Sequence, residues 1–338
     1  MSALGAIYGR AARLRRDWYD RHPAARRRLP RPVISVGNLV VGGSGKTPVV
    51  AALARLLREA GMRPAILSRG YARRTRSDGV VVVSDGERVL ADVESSGDEP
   101  QMLARALPGV PVLVSPDRYL AGTLAIRQFD AGVLLLDDGF QHLQLERTVD
   151  LLLASPGDVT EDVLPLGRLR EPLGAARSAD AVLVHGDPGV AEQLAQTLGV
   201  GAAFTVATRY GDLRELAAGQ AAGNGGRRVA VAGIARPERF FSALREHGHE
   251  VVRSVTFRDH HWFTRKDLDR IAAVARAAGA TSIVTTEKDA VRLEPLIRAG
   301  LWGTPSSGGP TPLAWSVLPI DVEIEPRDRF TSWLQARL

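Results

Sequence analysis

Gly42-Gly43-Ser44-Gly45-Lys46-Thr47 has the residue types and spacing of a phosphate cradle. A β-branched run, Val33-Ile34-Ser35-Val36, precedes it, and an Ala/Leu-rich helical pattern from Val49 to Ala60 follows it. In a strand–loop–helix of this kind, glycines let backbone N–H groups close around phosphate oxygens, and the helix N-terminus adds positive potential. Lys46 would reach the outer phosphates and the Thr47 hydroxyl would ligate Mg²⁺. The usual pattern begins with a glycine five residues before Gly45, and that position is Val40. The chain has 41 arginines and three lysines, Lys46, Lys266 and Lys288. Lysine thus stands where a compact charge on a flexible stem is useful, in a chain that otherwise uses arginine.

Further candidates follow predicted strands. Asp137-Asp138, after the apolar run Val133–Leu136, has the placement of a Mg²⁺-holding acid. Asp98, in Gly97-Asp98-Glu99-Pro100, has two readings: a helix cap, or a general base that takes a proton from an attacking hydroxyl. Arg69, Arg118 and Arg170 suit bidentate phosphate binding, against a default of solvated surface charge. Glu171 suits either the metal or a neighbouring arginine. Asp259-His260-His261 reads as a base partner, a substrate contact or structural histidines rather than zinc, because no third ligand accompanies them. Thr285-Thr286-Glu287-Lys288-Asp289 reads as a phosphate contact or a capped helix start.

These residues need a frame to position them. Strands alternate with helices through Ala65–Ser68, Val80–Val83, Pro111–Val114, Val133–Leu136, Val149–Leu153 and Ala181–Val184. That alternation predicts an α/β fold of P-loop NTPase type, a mostly parallel sheet covered by helices. An Ala/Gly-rich stretch, 215–228, reads as a linker to a second, smaller α/β domain. The expected organisation is a basic helix over 1–30, a P-loop domain over 31–214, and the smaller domain over 229–338, whose last residues are free to return to the first. The basic 73–78 stretch and the 303–312 loop match no motif. Ligands in such sheets bind beyond the carboxyl ends of the strands, where the polar motifs cluster.

Composition narrows the function. The 338 residues are 45% hydrophobic and 24% charged, as in a globular protein. The absence of cysteine excludes disulfides, thiolate metal sites and thiol catalysis. No apolar run approaches the roughly 18–20 residues that span a bilayer. Of the net charge of +6, residues 1–31 supply +7, and the remainder carries −1. This disfavours a nucleic-acid-binding body, which needs a basic face on the folded domain. No obligate protein partner is evident. Leu4, Ile7, Ala11, Leu14 and Trp18 recur at helical spacing in the basic segment. Such a stripe beside arginines suits a helix on an anionic membrane surface; the alternative is packing on the protein's own core. Arginines interrupt any signal-peptide core.

Taken together, the motifs resemble the tetraacyldisaccharide 4′-kinase family, the lipid A 4′-kinases. The resemblance runs through Val36-Gly37-Asn38-Leu39 to Pro48, Ser68-Arg69-Gly70-Tyr71, Gly97–Pro100, Ser115-Pro116-Asp117-Arg118, Asp137-Asp138-Gly139-Phe140-Gln141-His142, Pro165–Pro172, Asp259-His260 and Thr286–Asp289. It implies transfer of the ATP γ-phosphate to the 4′-hydroxyl of a tetraacylated glucosamine disaccharide 1-phosphate, giving lipid IVA. It further implies that Asp98 is the general base, oriented by His260 or its neighbour His261. Thr47, Asp137, Asp138 and Glu171 would serve Mg²⁺, with Lys46 and residues 42–47 on ATP. Tyr71, Arg118, His142 and Arg170 would line the acceptor cleft. The family is peripheral on the cytoplasmic face of the inner membrane, which fits the basic segment. The competing reading is a membrane-associated P-loop ATPase switch of the partitioning or division-site type. Those proteins carry a lysine where this chain has Val41.

Overall fold

The computed structural model describes residues 3–43, 45–71, 73–75, 78–216, 225–300 and 313–338. Ser44, most of the expected linker and the 303–312 loop lie outside the described residues. The chain divides into two compact units, Met1–Thr208 with Val322–Leu338, and Arg209–Asp321.

Strands β1 (Val33–Gly37), β2 (Pro64–Ser68), β3 (Val81–Ser84), β4 (Val112–Val114), β5 (Val133–Asp137), β6 (Val149–Ala154), β7 (Ala181–Val184) and β8 (Ala203–Tyr210) come first. The second unit contributes β9 (Arg214–Glu215), β10 (Arg228–Ala232), β11 (Val251–Thr256), β12 (Ser282–Thr286) and β13 (Ala314–Leu318), and β14 (Ile320–Glu325) follows. The helices are α1 (Ala3–Arg21), α2 (Lys46–Glu59), α3 (Val93–Ser96), α4 (Asp98–Ala106), α5 (Arg118–Phe129), α6 (Pro188–Leu198), α7 (Pro237–Glu246), α8 (Arg265–Ala277), α9 (Glu287–Arg298) and α10 (Arg327–Gln335).

The larger sheet has the order β14-β8-β7-β6-β1-β5-β2-β4-β3. Pairing is parallel from β8 through β4, and β3 runs antiparallel on the edge. Every residue of β1, β2, β5 and β6 is buried, as expected of strands covered on both faces. Register then decides chemistry. Val36 pairs with Asp137 on one side and Leu151 on the other, so the loop after β1 and the carboxylates after β5 leave the sheet side by side. The smaller sheet, β11-β10-β12-β13-β9, is parallel apart from β9.

Several expectations need correction. The stretch from 185 to 214 carried no predicted element, yet it forms α6 and β8. At the two ends of the expected linker, Glu215 pairs with Ser316 of β13 and Arg228 already belongs to β10. The C-terminal residues from Val322, which the sequence left free to join either unit, fall in the first, where Phe330 and Trp333 of α10 pack on Phe204 at ring distances of 5.0 and 5.4 Å.

Helix α1 turns its small residues inward. Gly5, Gly9 and Arg16 are buried, while Leu4, Ile7, Leu14 and Trp18 are 65%, 67%, 61% and 48% exposed. A Cβ on Gly9 would lie 3.5 Å from Pro172, in ordinary contact, so this face of α1 lies against the 165–172 segment. The apolar stripe therefore does not pack on the protein's own core. No helix among the described residues is long and apolar enough to cross a membrane.

Candidate active site

The glycine loop is built for backbone approach. Gly42 and Gly45 have φ of +99° and +84°, a region that side chains disfavour. Gly45 caps α2 without a side-chain bond, so the first N–H groups of α2 stay open to an anion. Val40, in the place of the usual first glycine, is buried and bridges to Leu169 of the 165–172 segment. Val41 N donates to Arg168 O at 2.8 Å, and Arg170 N donates to Leu39 O. The loop is thus held from outside by a second strand-like segment, and a valine with a packing partner serves where a free-standing loop uses glycine. A Cβ on Gly37 would meet Phe140 N at 2.8 Å, which brings the 138–142 turn against the loop.

Lys46 Nζ donates to the buried Asn38 Oδ1 at 3.0 Å and lies 3.4 Å from Asp138 Oδ1. Asp138 also accepts both of its bonds from Arg170 Nη1, at 2.9 and 2.7 Å, and Arg170 reaches Gln141 Oε1. Burial works against the Asp138 charge, but Lys46 and Arg170 outweigh it and hold the carboxyl below the usual range. Asp138 keeps φ at +56°, a strained value that these partners stabilise.

Asp137, one residue earlier, has the opposite fate. It is 2% exposed and neither carboxylate oxygen has a hydrogen-bond partner. Burial, with Glu99 and Asp138 adding to it, pushes its pKa up to about 8, while Lys46 and Arg118 pull the other way. A buried carboxylate left without a donor is costly unless a cation joins it. Thr47, buried at the start of α2, supplies a hydroxyl beside the same loop. No group of three or more His, Asp or Glu ligands exists among the described residues. The oxygen donors beside the loop, the Asp137 carboxylate and the Thr47 hydroxyl, are of the kind Mg²⁺ takes, since it needs one or two carboxylates and leaves its other positions to phosphates and water.

Asp98 is 2% exposed in the first turn of α4. Gly97 before it, at φ +86°, lies so near the main chain that a Cβ would come within 2.9 Å of Tyr71 O. This packing joins the 70–71 turn to Asp98, with the Tyr71 side chain 66% exposed beside it. Arg118 is 4% exposed and its Nε is unpartnered. Burial first, then the nearby Arg69, lowers its pKa to about 10, against Asp138 and Asp137. His142 is held neutral, its pKa lowered to about 3 by burial and then by Arg118 and Arg147, and its Nε2 is unpartnered. Glu171, expected near the metal, is instead engaged by Arg16 of α1, with Nε at 2.8 Å and Nη2 at 2.6 Å from Oε2. Arg16 also bonds Ser178 Oγ and stacks over Phe140 at 4.7 Å. Glu171 is thus an anchor for the basic helix.

In the second unit, His261 stacks on Phe257 and meets Asp267 Oδ2 at 3.2 Å. It is a packing residue. His260, at φ +59°, lies 3.2 Å from Lys288 Nζ and 3.0 Å from Arg292 Nη2. Lys288 donates to Asp259 Oδ1 at 3.1 Å. Asp289 accepts from Gly233 N and Thr286 Oγ1 and so fastens the start of α9 to the end of β10.

The family model described as LpxK, tetraacyldisaccharide-1-P 4′-kinase, matches residues 1–338. The chain belongs to this family. The tetraacyldisaccharide 4′-kinase of Geobacter sulfurreducens is 42% identical over 296 residues, 85% of this chain and 82% of that protein. Its counterpart from Geobacter metallireducens is 40% identical over 303 residues, covering 88% and 89%. The crystal structure of LpxK from Aquifex aeolicus in complex with ATP superposes with a TM-score of 0.77 at 30% identity, covering 98% of this chain and 96% of that one. Membership in the tetraacyldisaccharide 4′-kinases decides against the partitioning-type ATPase.

Sequence reasoning missed three residues that hold candidate side chains in place. Asn38 was only part of a motif, although it supports Lys46. Arg16 was counted as surface charge, although it neutralises Glu171. Arg292 was one of 41 arginines; its signal was the i, i+4 spacing from Lys288, which puts both on one helix face.

Proposed function

We propose that residues 42–47 hold the ATP polyphosphate and that Asp98 takes the proton of the attacking sugar hydroxyl. The enzyme is an ATP-dependent lipid kinase that phosphorylates the 4′-hydroxyl of a tetraacylated glucosamine disaccharide 1-phosphate to give lipid IVA. The observation that carries the assignment of roles is the buried, donorless Asp137 next to Lys46, at the mouth of the loop. Thr47 and Asp137 would hold Mg²⁺, with Asp138 beside them fixing Lys46 and Arg170. That ion, when bound, offsets charge on the transferring phosphoryl group. Lys46 faces the β/γ-phosphates. Arg118 and neutral His142 offer unpartnered nitrogens to acceptor or phosphate oxygens, and Tyr71 offers an exposed ring to the sugar face. Arg170 acts mainly through Asp138. Positioning and charge stabilisation are most of what phosphoryl transfer asks of a protein.

The test is Asp98→Ala, assayed by phosphate transfer from labelled ATP to the lipid acceptor. Turnover should fall by about 10²–10⁴-fold, with ATP affinity retained; near-normal turnover removes Asp98 from the base role.

The enzyme works peripherally on the cytoplasmic face of the inner membrane, with the exposed stripe of α1 set into an anionic lipid surface. Leu14→Glu with Trp18→Glu should reduce sedimentation with anionic vesicles while leaving the inward face of α1 intact. Unchanged sedimentation would count against this placement.

A further inference from the structure

Helix α1 lies against the two segments that shape the phosphate site. Tyr8 Oη donates to Arg170 O at 3.0 Å, and Arg15 Nη1 donates to Gln141 O at 3.1 Å. Arg16 reaches both segments at once. Its Nε donates to Glu171 Oε2 at 2.8 Å and its Nη2 to Phe140 O at 3.4 Å, with the guanidinium 4.7 Å from the Phe140 ring centre. Its Nη1 donates to Ser178 Oγ at 2.8 Å. An arginine meant for a membrane surface is exposed, as Arg10 and Arg13 are; Arg16 is buried.

The two segments meet again at the site itself. Arg170 Nη1 holds the Asp138 carboxylate and reaches Gln141 Oε1 at 3.3 Å. Gln141 Nε2 donates to Asn38 O at 3.0 Å, and the main chain of 168–170 brackets the glycine loop at Val41 and Leu39. The path from helix to site is therefore short. Arg15 holds the main chain of Gln141, whose side chain touches both Asn38 and Arg170. Tyr8 holds the main chain of Arg170, whose guanidinium holds Asp138. Arg16 grips the neighbouring residue of each, Phe140 and Glu171. A guanidinium presents its donors in a rigid plane, so one arginine bonded to two segments fixes the spacing between them.

We propose that Arg16 is a positioning residue for the phosphoryl transfer, clamping the 138–142 turn to the 168–171 segment so that Arg170 stays on Asp138 beside Lys46. Tyr8 and Arg15 support the clamp. The outer face of α1 carries the exposed apolar stripe, and its inner face is part of the frame that holds the phosphate site. This inference rests on Asp138 and Arg170 belonging to that site, as proposed above, and the experiment separates the two.

The experiment uses the full-length enzyme, assayed with labelled ATP and the lipid acceptor over a range of lipid concentrations. Arg16→Met should lower kcat by up to about 10²-fold, the cost of a small displacement of groups around the reacting atoms. The loss should persist at saturating acceptor and lipid, with sedimentation on anionic vesicles unchanged. Hydrogen–deuterium exchange should quicken at the amides of Val41 and Arg170, which bond between the glycine loop and the clamped segment, while those of β2 and β5 stay slow. Arg16→Lys, which keeps the charge facing Glu171 and loses the planar fork, should fall between. Tyr8→Phe removes one hydroxyl, leaves the buried pair intact and should cost less. A normal kcat in Arg16→Met overturns the positioning role. So does a loss that added lipid restores, which makes Arg16 a membrane contact, and so does faster exchange throughout the first unit, which makes it a residue of general stability. If Arg16→Met fails to fold, normal kcat in both Arg16→Lys and Tyr8→Phe overturns the clamp. The reading of the site fails separately, if Arg170→Gln turns over normally.

Discussion

The two units each carry polar motifs at the carboxyl ends of a parallel sheet, but they treat charge in opposite ways. Beyond β5 in the first unit, Asp137 is buried without a donor, and Arg118 and His142 keep unpartnered nitrogens. Beyond β10 and β12 in the second, the groups close on one another: Lys288 on Asp259, Arg292 on His260, and Asp289 on Gly233 and Thr286. An incomplete set of partners marks the rim that awaits phosphates and a cation. A rim whose charges pair with one another, Asp289 Oδ1 apart, holds residues in place. The cost of unmet polar groups, about 1–3 kcal/mol each, is tolerable only where a ligand removes it.

This contrast can be broken by substitution. Asp137→Asn should lower turnover by more than 10²-fold, yet leave the ligand-free protein as stable or more stable near neutral pH, since it removes a carboxyl that the fold keeps protonated where the unfolded chain ionises it. Thermal melts with and without Mg²⁺-ATP would show a raised baseline and a smaller ligand shift. A lower melting point in the ligand-free variant would mean that Asp137 already has a structural partner. Lys288→Met should act with the opposite sign, losing about 1 kcal/mol of stability as Asp259 loses its donor; a neutral result would sink the idea that the second rim is internally stabilised.

The smallest effect concerns pH. The His142 pKa is depressed in the fold, to about 3 from 6.5. The unfolded chain therefore binds this proton more readily, and the associated stability is present above about pH 6.5 and is lost as pH falls toward 3. Between pH 7 and 5, before most carboxylates titrate, His142→Gln should show a shallower fall in melting temperature than the unaltered enzyme. Parallel curves would place His142 in a more solvated setting.

Much of the frame was legible along the chain. The strand–loop–helix around Lys46 is contiguous, and its glycines encode backbone geometry that neighbours in sequence suffice to specify. Helix α7 falls at the residues its pattern suggests, and β1, β5 and β12 differ from expectation by a residue at one end. What escaped was non-local or weakly patterned. Strand β8 mixes buried and exposed residues, with no clean period. The unit to which β14 and α10 belong depends on Phe330 finding Phe204, which is distant in sequence. The apolar stripe of α1 reads the same whether it faces a core or a lipid surface, until Gly5 and Gly9 are seen to be the buried face.

The sequence by itself determined the chemistry on offer: a phosphate loop, a run of acids after an apolar strand, and a basic amphipathic helix. Those follow from residue type and short-range spacing. Only the tertiary structure decided how each charge is employed. Asp137 and Asp138 are adjacent and identical, yet one meets Lys46 and Arg170 and the other meets no donor. Glu171 pairs with an arginine 155 residues away. The ring of His260, not that of His261, meets Arg292. The reason is that a charge in a protein is defined by its partners and its burial, and among 41 arginines sequence cannot say which one will arrive.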